Sequence, residues 1–157
     1  MQKISTFLWF DDQAEAAARF YTSVFADSRI VGTTHYTEAG PGAAGTVMTV
    51  TFELAGQSYT ALNGGPIFPF TEAISLQVDC ADQQEVDELW TKLTADGGED
   101  GQCGWIKDRY GLSWQLVPRV LTELIADPDR AKASRVIAAM LQMQKIDVGK
   151  LLDAAEG

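Results

Sequence analysis

Cys103-Gly-Trp-Ile-Lys-Asp-Arg-Tyr-Gly-Leu-Ser-Trp-Gln-Leu-Val-Pro118 is the stretch whose reading decides the fold. It reads as two strands joined by a tight turn. Trp105 to Lys107 is the incoming strand, and Asp108-Arg109-Tyr110-Gly111 is the turn, with Asp first and Gly last as a type I turn prefers. Leu112 to Val117 is the outgoing strand, and Pro118 stops it. Side chains alternate along a strand, so Leu112, Trp114 and Leu116 share an apolar face and Ser113, Gln115 and Val117 a mixed one. The apolar face requires a covering layer. The mixed face, with Gln115 at its centre, is expected to line a cavity.

Working outward, the same kind of unit occurs twice. Ile4 to Phe10 is a bulky, alternating strand, and Asp12 with Glu15 resembles a capping box. Ala17, Phe20, Tyr21 and Val24 form the stripe of a helix ending near Phe25. Arg29 to Tyr36 and Thr46 to Leu54 are strands around a Gly-rich loop, Ala55-Gly56 turns the chain, and Gln57 to Asn63 returns. The connector Gly64 to Pro69 breaks the pattern. Then it restarts: a strand over Ala73 to Asp79, a helix start at Asp82 and Glu85, a stripe of Val86, Leu89, Trp90 and Leu93, a stop at Gly97-Gly98, a short strand around Gln102, and the hairpin. Phe10-Asp11 matches Val78-Asp79 and Phe20-Tyr21 matches Leu89-Trp90, at offsets of about 68–69 residues. The expected fold is α+β: two strand-helix-three-strand modules in a single domain, one over about 1–65 and one over about 70–118, which pair to cover their sheets. The tail 119–157 reads as a separate helical arm. Asp127-Pro128-Asp129 starts a helix with the stripe Ala133, Val136, Ile137, Met140 and Leu141, and Asp147 caps a last helix through Ala155. Met140 and Met143 read as ordinary helix packing.

Composition bounds the function. The chain has 157 residues, 46% hydrophobic, a formal net charge of −10 and a pI near 4.4. An acidic surface argues against nucleic acid and anionic membranes as partners. No apolar run reaches the length of a membrane span, and Met1 opens a strand-like segment rather than a signal peptide, so the expected location is the cytoplasm. Two cysteines, Cys80 and Cys103, are too few for a disulfide framework.

Phe7-Leu-Trp-Phe-Asp-Asp, Ala16-Ala-Ala-Arg-Phe-Tyr, Tyr59-Thr-Ala-Leu-Asn-Gly-Gly-Pro66, Thr71-Glu-Ala-Ile-Ser75 and Cys103 to Pro118 resemble the PhnB-like family, which carries the inherited name 3-demethylubiquinone-9 3-methyltransferase. That family belongs to the vicinal oxygen chelate superfamily, also called the glyoxalase/bleomycin-resistance/dioxygenase fold. The tail, with its Asp-Pro-Asp start and Lys145-Ile-Asp147, also fits. The resemblance implies eight strands in two modules, curled as a mixed sheet around a cup, and a homodimer. The superfamily's metal enzymes place His or Glu on the first, fourth, fifth and eighth strands. Carried over, those positions hold Ser5, Asn63, Ala73 and Gln115. Neutral hydroxyls and amides hold a divalent cation weakly, so no metal and no other cofactor is expected. The lone His35 on the second strand reads as an exposed or hydrogen-bonded residue.

Alternation then lists the cup lining: Phe7 and Trp9 with Ser5's face, Ser75 and Gln77 with Ala73's, Ser113 and Gln115 on the eighth strand, and Tyr59 and Asn63 from the fourth. Aromatic walls with a few amides and hydroxyls suit a small organic molecule. The alternative is that Phe7 and Trp9 fill a collapsed core. Acid–base groups are thin: Asp79 and Glu53 sit on strands without paired carboxylates, Asp108 reads as turn chemistry, and Cys103 near Lys107 and Arg109 is weak as a nucleophile. The first strand ends Trp9-Phe10-Asp11-Asp12 with no glycine, unlike the Gly-rich turn of a common S-adenosylmethionine fold. Three functions stay open: a metal-free small-molecule binder, a metal-dependent lyase- or dioxygenase-like enzyme of the superfamily on a small substrate, and, least supported, the methyltransferase of the family name.

Overall fold

The computed structural model describes residues 2–157. Met1, expected to open the first strand's segment, lies outside the described residues. The chain forms two compact units that meet in sequence between Phe70 and Thr71.

The first unit runs β1 (Thr6–Phe10), α1 (Ala14–Val24), β2 (Ser28–His35), β3 (Val47–Leu54) and β4 (Gln57–Asn63). Its sheet has the order β1-β4-β3-β2, with β1 parallel to β4 and the other pairs antiparallel. The apolar half of each alternating strand, Leu8, Phe10, Val50, Phe52, Leu54 and Ala61, is buried. So are Ala14, Ala17, Ala18 and Tyr21 of α1. Alanines at these positions let the helix backbone approach the sheet closely, and Tyr21 stacks on Phe52 at 6.1 Å. Phe20, expected in the stripe, is only half-buried. Ala55 and Gly56 both take positive φ, 47° and 83°, the two-residue hairpin geometry that matches strand twist. The pairing of β2 with β3 slips twice, between Ile30 and Gly32 and between Thr34 and His35.

The second unit repeats the plan: β5 (Ser75–Cys80), α2 (Gln83–Thr94), β6 (Glu99–Asp100), β7 (Trp105–Lys107) and β8 (Ser113–Pro118), with sheet order β5-β8-β7-β6 and β5 parallel to β8. The internal repeat expected from the sequence is thus present as two four-stranded mixed sheets of identical order. Asp82 caps α2 by accepting from the Glu85 N–H at 2.9 Å, and Glu85 reaches back to the Ala81 N–H at 2.7 Å.

Some boundaries differ from expectation. The first helix is preceded by Gln13, not Asp12, and has no side-chain cap of its own. Ser5 precedes β1 and Ala73 lies in a turn before β5. The short strand expected around Gln102 is β6, two residues earlier.

The tail forms α3 (Arg119–Ile125), α4 (Arg130–Met140) and α5 (Val148–Glu156). Asp129 and Asp147 are the caps the sequence predicts. The expected helical arm has a core of its own and is part of the second unit. Leu121, Val136, Met143, Ile146, Leu151 and Ala155 form one buried cluster, with Met140 packed against it. Its connecting loop is pinned to the same unit: Cys103 and Gly104 N–H groups donate to the Met143 and Gln144 carbonyls, each at 2.8 Å. Gln83 spans the loop as well, donating to the Ile146 carbonyl at 3.0 Å and accepting from the Val148 N–H at 2.7 Å. Leu141, expected in the apolar stripe, follows the last helical turn and is exposed. Among the described residues no helix is long and apolar enough to cross a membrane.

Candidate ligand-binding faces

The hairpin turn sets the geometry of the second sheet. Gly111 N–H donates to the Asp108 carbonyl at 2.9 Å, closing the turn as expected. The Asp108 side chain does more than favour the turn. It is 2% exposed, and its carboxylate accepts from the Tyr110 and Leu112 N–H groups at 2.8 and 3.1 Å and from the Trp114 indole at 2.8 Å. A charged acceptor buried among donors holds both strands in one register. That register opposes Lys107 to Ser113 and Trp105 to Gln115, while β5 opposes Ser75 to Ser113 and Gln77 to Gln115. Paired residues share a face. One face therefore carries Ser75, Gln77, Ser113, Gln115, Trp105 and Lys107. The other carries Ile106, Trp114 and Leu116, all buried.

On the polar face the Gln115 amide donates to the Ser75 hydroxyl at 2.8 Å. Gln77 is exposed. Ser113 is 1% exposed, and its hydroxyl has no hydrogen-bond partner among the described residues. It lines a cavity of about 300 Å³ with Glu72, Glu99, Asp100, Gln102, Trp105 and Lys107. Lys107 forms an ion pair with Glu72. The hydrogen bond between them is the largest cause in both directions, holding the Lys107 ammonium above its ordinary pKa and the Glu72 carboxyl below its own. Trp105, Lys107, Glu72 and Glu99 were not among the residues expected from the sequence to line a site. The alternation of Trp105 and Lys107 about Ile106 was the available signal.

The first sheet carries Phe7 and Trp9 on one face. Phe7 is 60% exposed. Trp9 is half-buried, donates its indole N–H to the Gly65 carbonyl at 2.9 Å and meets Phe68 edge-on at 4.9 Å. A side chain at Gly64 would come within 2.3 Å of the Trp9 ring, so the Gly-Gly connector is what admits the indole. Phe7 is solvent-facing, not part of a collapsed core. Tyr59 and Asn63 require correction. Their partners in β1 are Thr6 and Phe10, which puts them on the opposite face from Phe7 and Trp9. Tyr59 stacks on Phe52 at 5.5 Å, and burial pushes its phenol pKa up. Asn63 accepts from the Ala14 N–H at 2.8 Å, donates to the Val47 carbonyl at 3.1 Å, and its own carbonyl accepts from the Tyr36 hydroxyl. It is the cap that α1 lacks locally.

The four positions the resemblance assigns to metal ligands do not make a ligand set. Ser5 lies outside β1, Ala73 offers no donor, Asn63 is committed to α1, and Gln115 is a neutral amide bonded to Ser75. Among the described residues no three or more His, Cys, Asp or Glu side chains gather to hold an ion. This donor chemistry does not fit a divalent metal. The acid–base candidates are exposed ion pairs: Asp79 with Arg119 at 3.0 Å and Glu53 with Arg29 at 3.1 Å. His35 is exposed. Cys80 is buried, and burial, reinforced by Glu85 and Asp79, pushes its thiol up to about 12, which excludes a thiolate at neutral pH. Cys103 is half-buried.

A family model described as 3-demethylubiquinone-9 3-methyltransferase matches residues 2–117. It stops before the tail, so the expectation that the helical tail also fits the family does not extend to this match. A putative 3-demethylubiquinone-9 3-methyltransferase, the PhnB protein from Bacillus cereus, is 41% identical, with a TM-score of 0.67 over 74% of this chain and 99% of its own. About a quarter of the present chain thus has no counterpart there. Protein PA1353 from Pseudomonas aeruginosa is similar in fold, at 16% identity and a TM-score of 0.61 over 75% of this chain and 98% of its own. The fosfomycin resistance protein FosX from Listeria monocytogenes is similar at 16% identity and a TM-score of 0.50, over 75% and 93%. No curated protein matches the chain significantly. The family match, the 41% identity and the doubled strand-helix-three-strand unit agree, and the chain belongs to the 3-demethylubiquinone-9 3-methyltransferase (PhnB-like) family.

Proposed function

We propose that this chain binds a small organic molecule without a metal. The observation that carries the reading is the polar face of the second sheet. Its central strands offer the neutral groups Ser75, Gln77, Ser113 and Gln115 rather than a set of metal-binding carboxylates or imidazoles, with Trp105 beside them and a cavity of about 300 Å³ alongside. Neutral donors and acceptors orient a ligand by hydrogen bonding, and an indole supplies stacking area. The exposed aromatic Phe7 and the Trp9–Phe68 pair of the first sheet add apolar surface of the same kind. Methyl transfer from S-adenosylmethionine is not supported by residues: β1 runs into Asp11 and Asp12 without a glycine turn, and the first sheet is mixed rather than an alternating parallel one. Exposed Phe7, Ile67 and Phe68 also favour a homodimer, and the acidic chain fits a cytoplasmic protein.

The test is elemental analysis of protein purified without tag or chelator, beside Gln115→Ala, followed by mass spectrometry of any co-purifying ligand. The expected result is metal well below one equivalent in both proteins, with an organic molecule released on denaturation. Near-stoichiometric metal that disappears in Gln115→Ala would overturn the reading in favour of a metal-dependent enzyme.

A further inference from the structure

We infer that the cavity beside β6 and β7 takes an organic cation, an amine or amidine carried on a flat apolar group. This rests on the reading that the second sheet binds a small organic molecule, and adds the charge of that molecule. Ser113 supplies the first observation. A hydroxyl that is 1% exposed and meets no partner among the described residues is costly to leave unmatched, and this one lines the cavity. A bound N–H group placed there would complete it.

The wall supplies the second observation. Glu72 and Glu99 stand against the single ammonium of Lys107, and Glu72 already neutralises that ammonium in an ion pair. Glu99 pairs with Lys107 across the β6–β7 ladder and so shares its face. Asp100 pairs with Ile106 on the opposite face, where it accepts from the Trp90 indole at 3.0 Å, so its carboxylate is not counted in the wall. An entering anion would have to displace Glu72 from Lys107 and then sit among carboxylates. An entering cation meets the Glu99 carboxylate, which Lys107, already held by Glu72, balances only in part, together with Trp105, whose indole face attracts positive charge. The net charge of −10 acts in the same direction at longer range.

Three probes of one shape separate the possibilities: benzylammonium, benzyl alcohol and benzoate, titrated into the ¹⁵N-labelled full chain. The Trp105 indole resonance, assigned with Trp105→Phe, is the readout. Benzylammonium is expected to shift that resonance and to bind about tenfold more tightly than benzyl alcohol, with benzoate weakest. Glu99→Gln, at an exposed position, should shrink the preference to within about threefold. Ser113→Ala should weaken benzylammonium binding yet raise the thermal midpoint of the free protein, opposite signs that general damage would not produce. Benzyl alcohol or benzoate binding as tightly as benzylammonium, or a preference unchanged in Glu99→Gln, would overturn the cation assignment and leave small-molecule binding standing. No shift of Trp105 with any probe would overturn both.

Discussion

Replacing Asp108 by Asn keeps the shape of the hairpin turn and removes its charge. One oxygen remains to accept from the Tyr110 and Leu112 N–H groups. The other is exchanged for an NH₂ that faces the Trp114 indole N–H, formerly 2.8 Å from the carboxylate. Two donors then oppose each other in a site that is 2% exposed. A hydrogen bond to a charged group contributes about 1.5–3 kcal/mol, so Asp108→Asn should cost about that much. Asp108→Ala, which also frees the two backbone donors, should cost about 3–6 kcal/mol, a large share of the ~5–15 kcal/mol typical of a folded domain. The control is Trp114→Phe, which removes the indole donor. In that background Asp108→Asn should cost at least about 1 kcal/mol less, because the opposed donor is gone. Urea unfolding followed by far-UV circular dichroism measures both legs without depending on tryptophan emission. If the two units unfold separately, only the transition of the second should move. An Asp108→Asn cost below about 0.5 kcal/mol, or an equal cost in both backgrounds, would refute the claim that this carboxylate fixes the register of the site.

Asn63→Ala should destabilise the first unit by about 1–3 kcal/mol, as loss of a helix cap plus a buried hydrogen bond does, with hydrogen exchange at Ala14 rising first. Gln83→Ala should loosen the loop ahead of α5, seen as faster exchange at Val148 and a loss of about 1–3 kcal/mol. Cys80 should resist iodoacetamide in the native protein and label after unfolding, read by mass spectrometry. The same thiol makes stability fall at high pH. The unfolded thiol ionises near 9.0 while the folded one holds its proton to about 12, so between those values stability should fall with a slope of up to ~1.4 kcal/mol per pH unit, a slope that Cys80→Ala removes.

The local features were readable because local chemistry decides them. The hairpin from Trp105 to Val117 announces itself by alternation on both sides of an Asp–Gly turn, and the two modules by the recurrence of that grammar. The parity of β4 was not readable. Gln57 to Asn63 mixes Tyr59, Ala61 and Asn63 with Ser58, Thr60 and Leu62, two sets of similar polarity, and only the parallel pairing to β1 decides which set is buried. Asn63 as a cap is likewise a tertiary fact, since its partner is 49 residues away, and Asp12 with Glu15 imitates a capping signal that the long-range cap supersedes. The docking of the tail depended on Gln83 and on the Cys103–Gly104 backbone, neither of which carries a signal in the tail itself.

The two slips in the β2–β3 ladder have a consequence for solubility. β2 is an eight-residue edge strand, exposed along nearly all its length, with Ile30 and Val31 facing water. A straight edge of that kind would template another chain and seed aggregates. Irregularities at Ile30/Gly32 and Thr34/His35 break the run of outward N–H and C=O groups into short pieces out of step with one another. A foreign strand finds no long stretch to zip against. Deleting Val31, which removes the first slip, would therefore be expected to lengthen the regular part of the edge and make the protein more prone to form fibrous aggregates, even if the pairing itself became stronger.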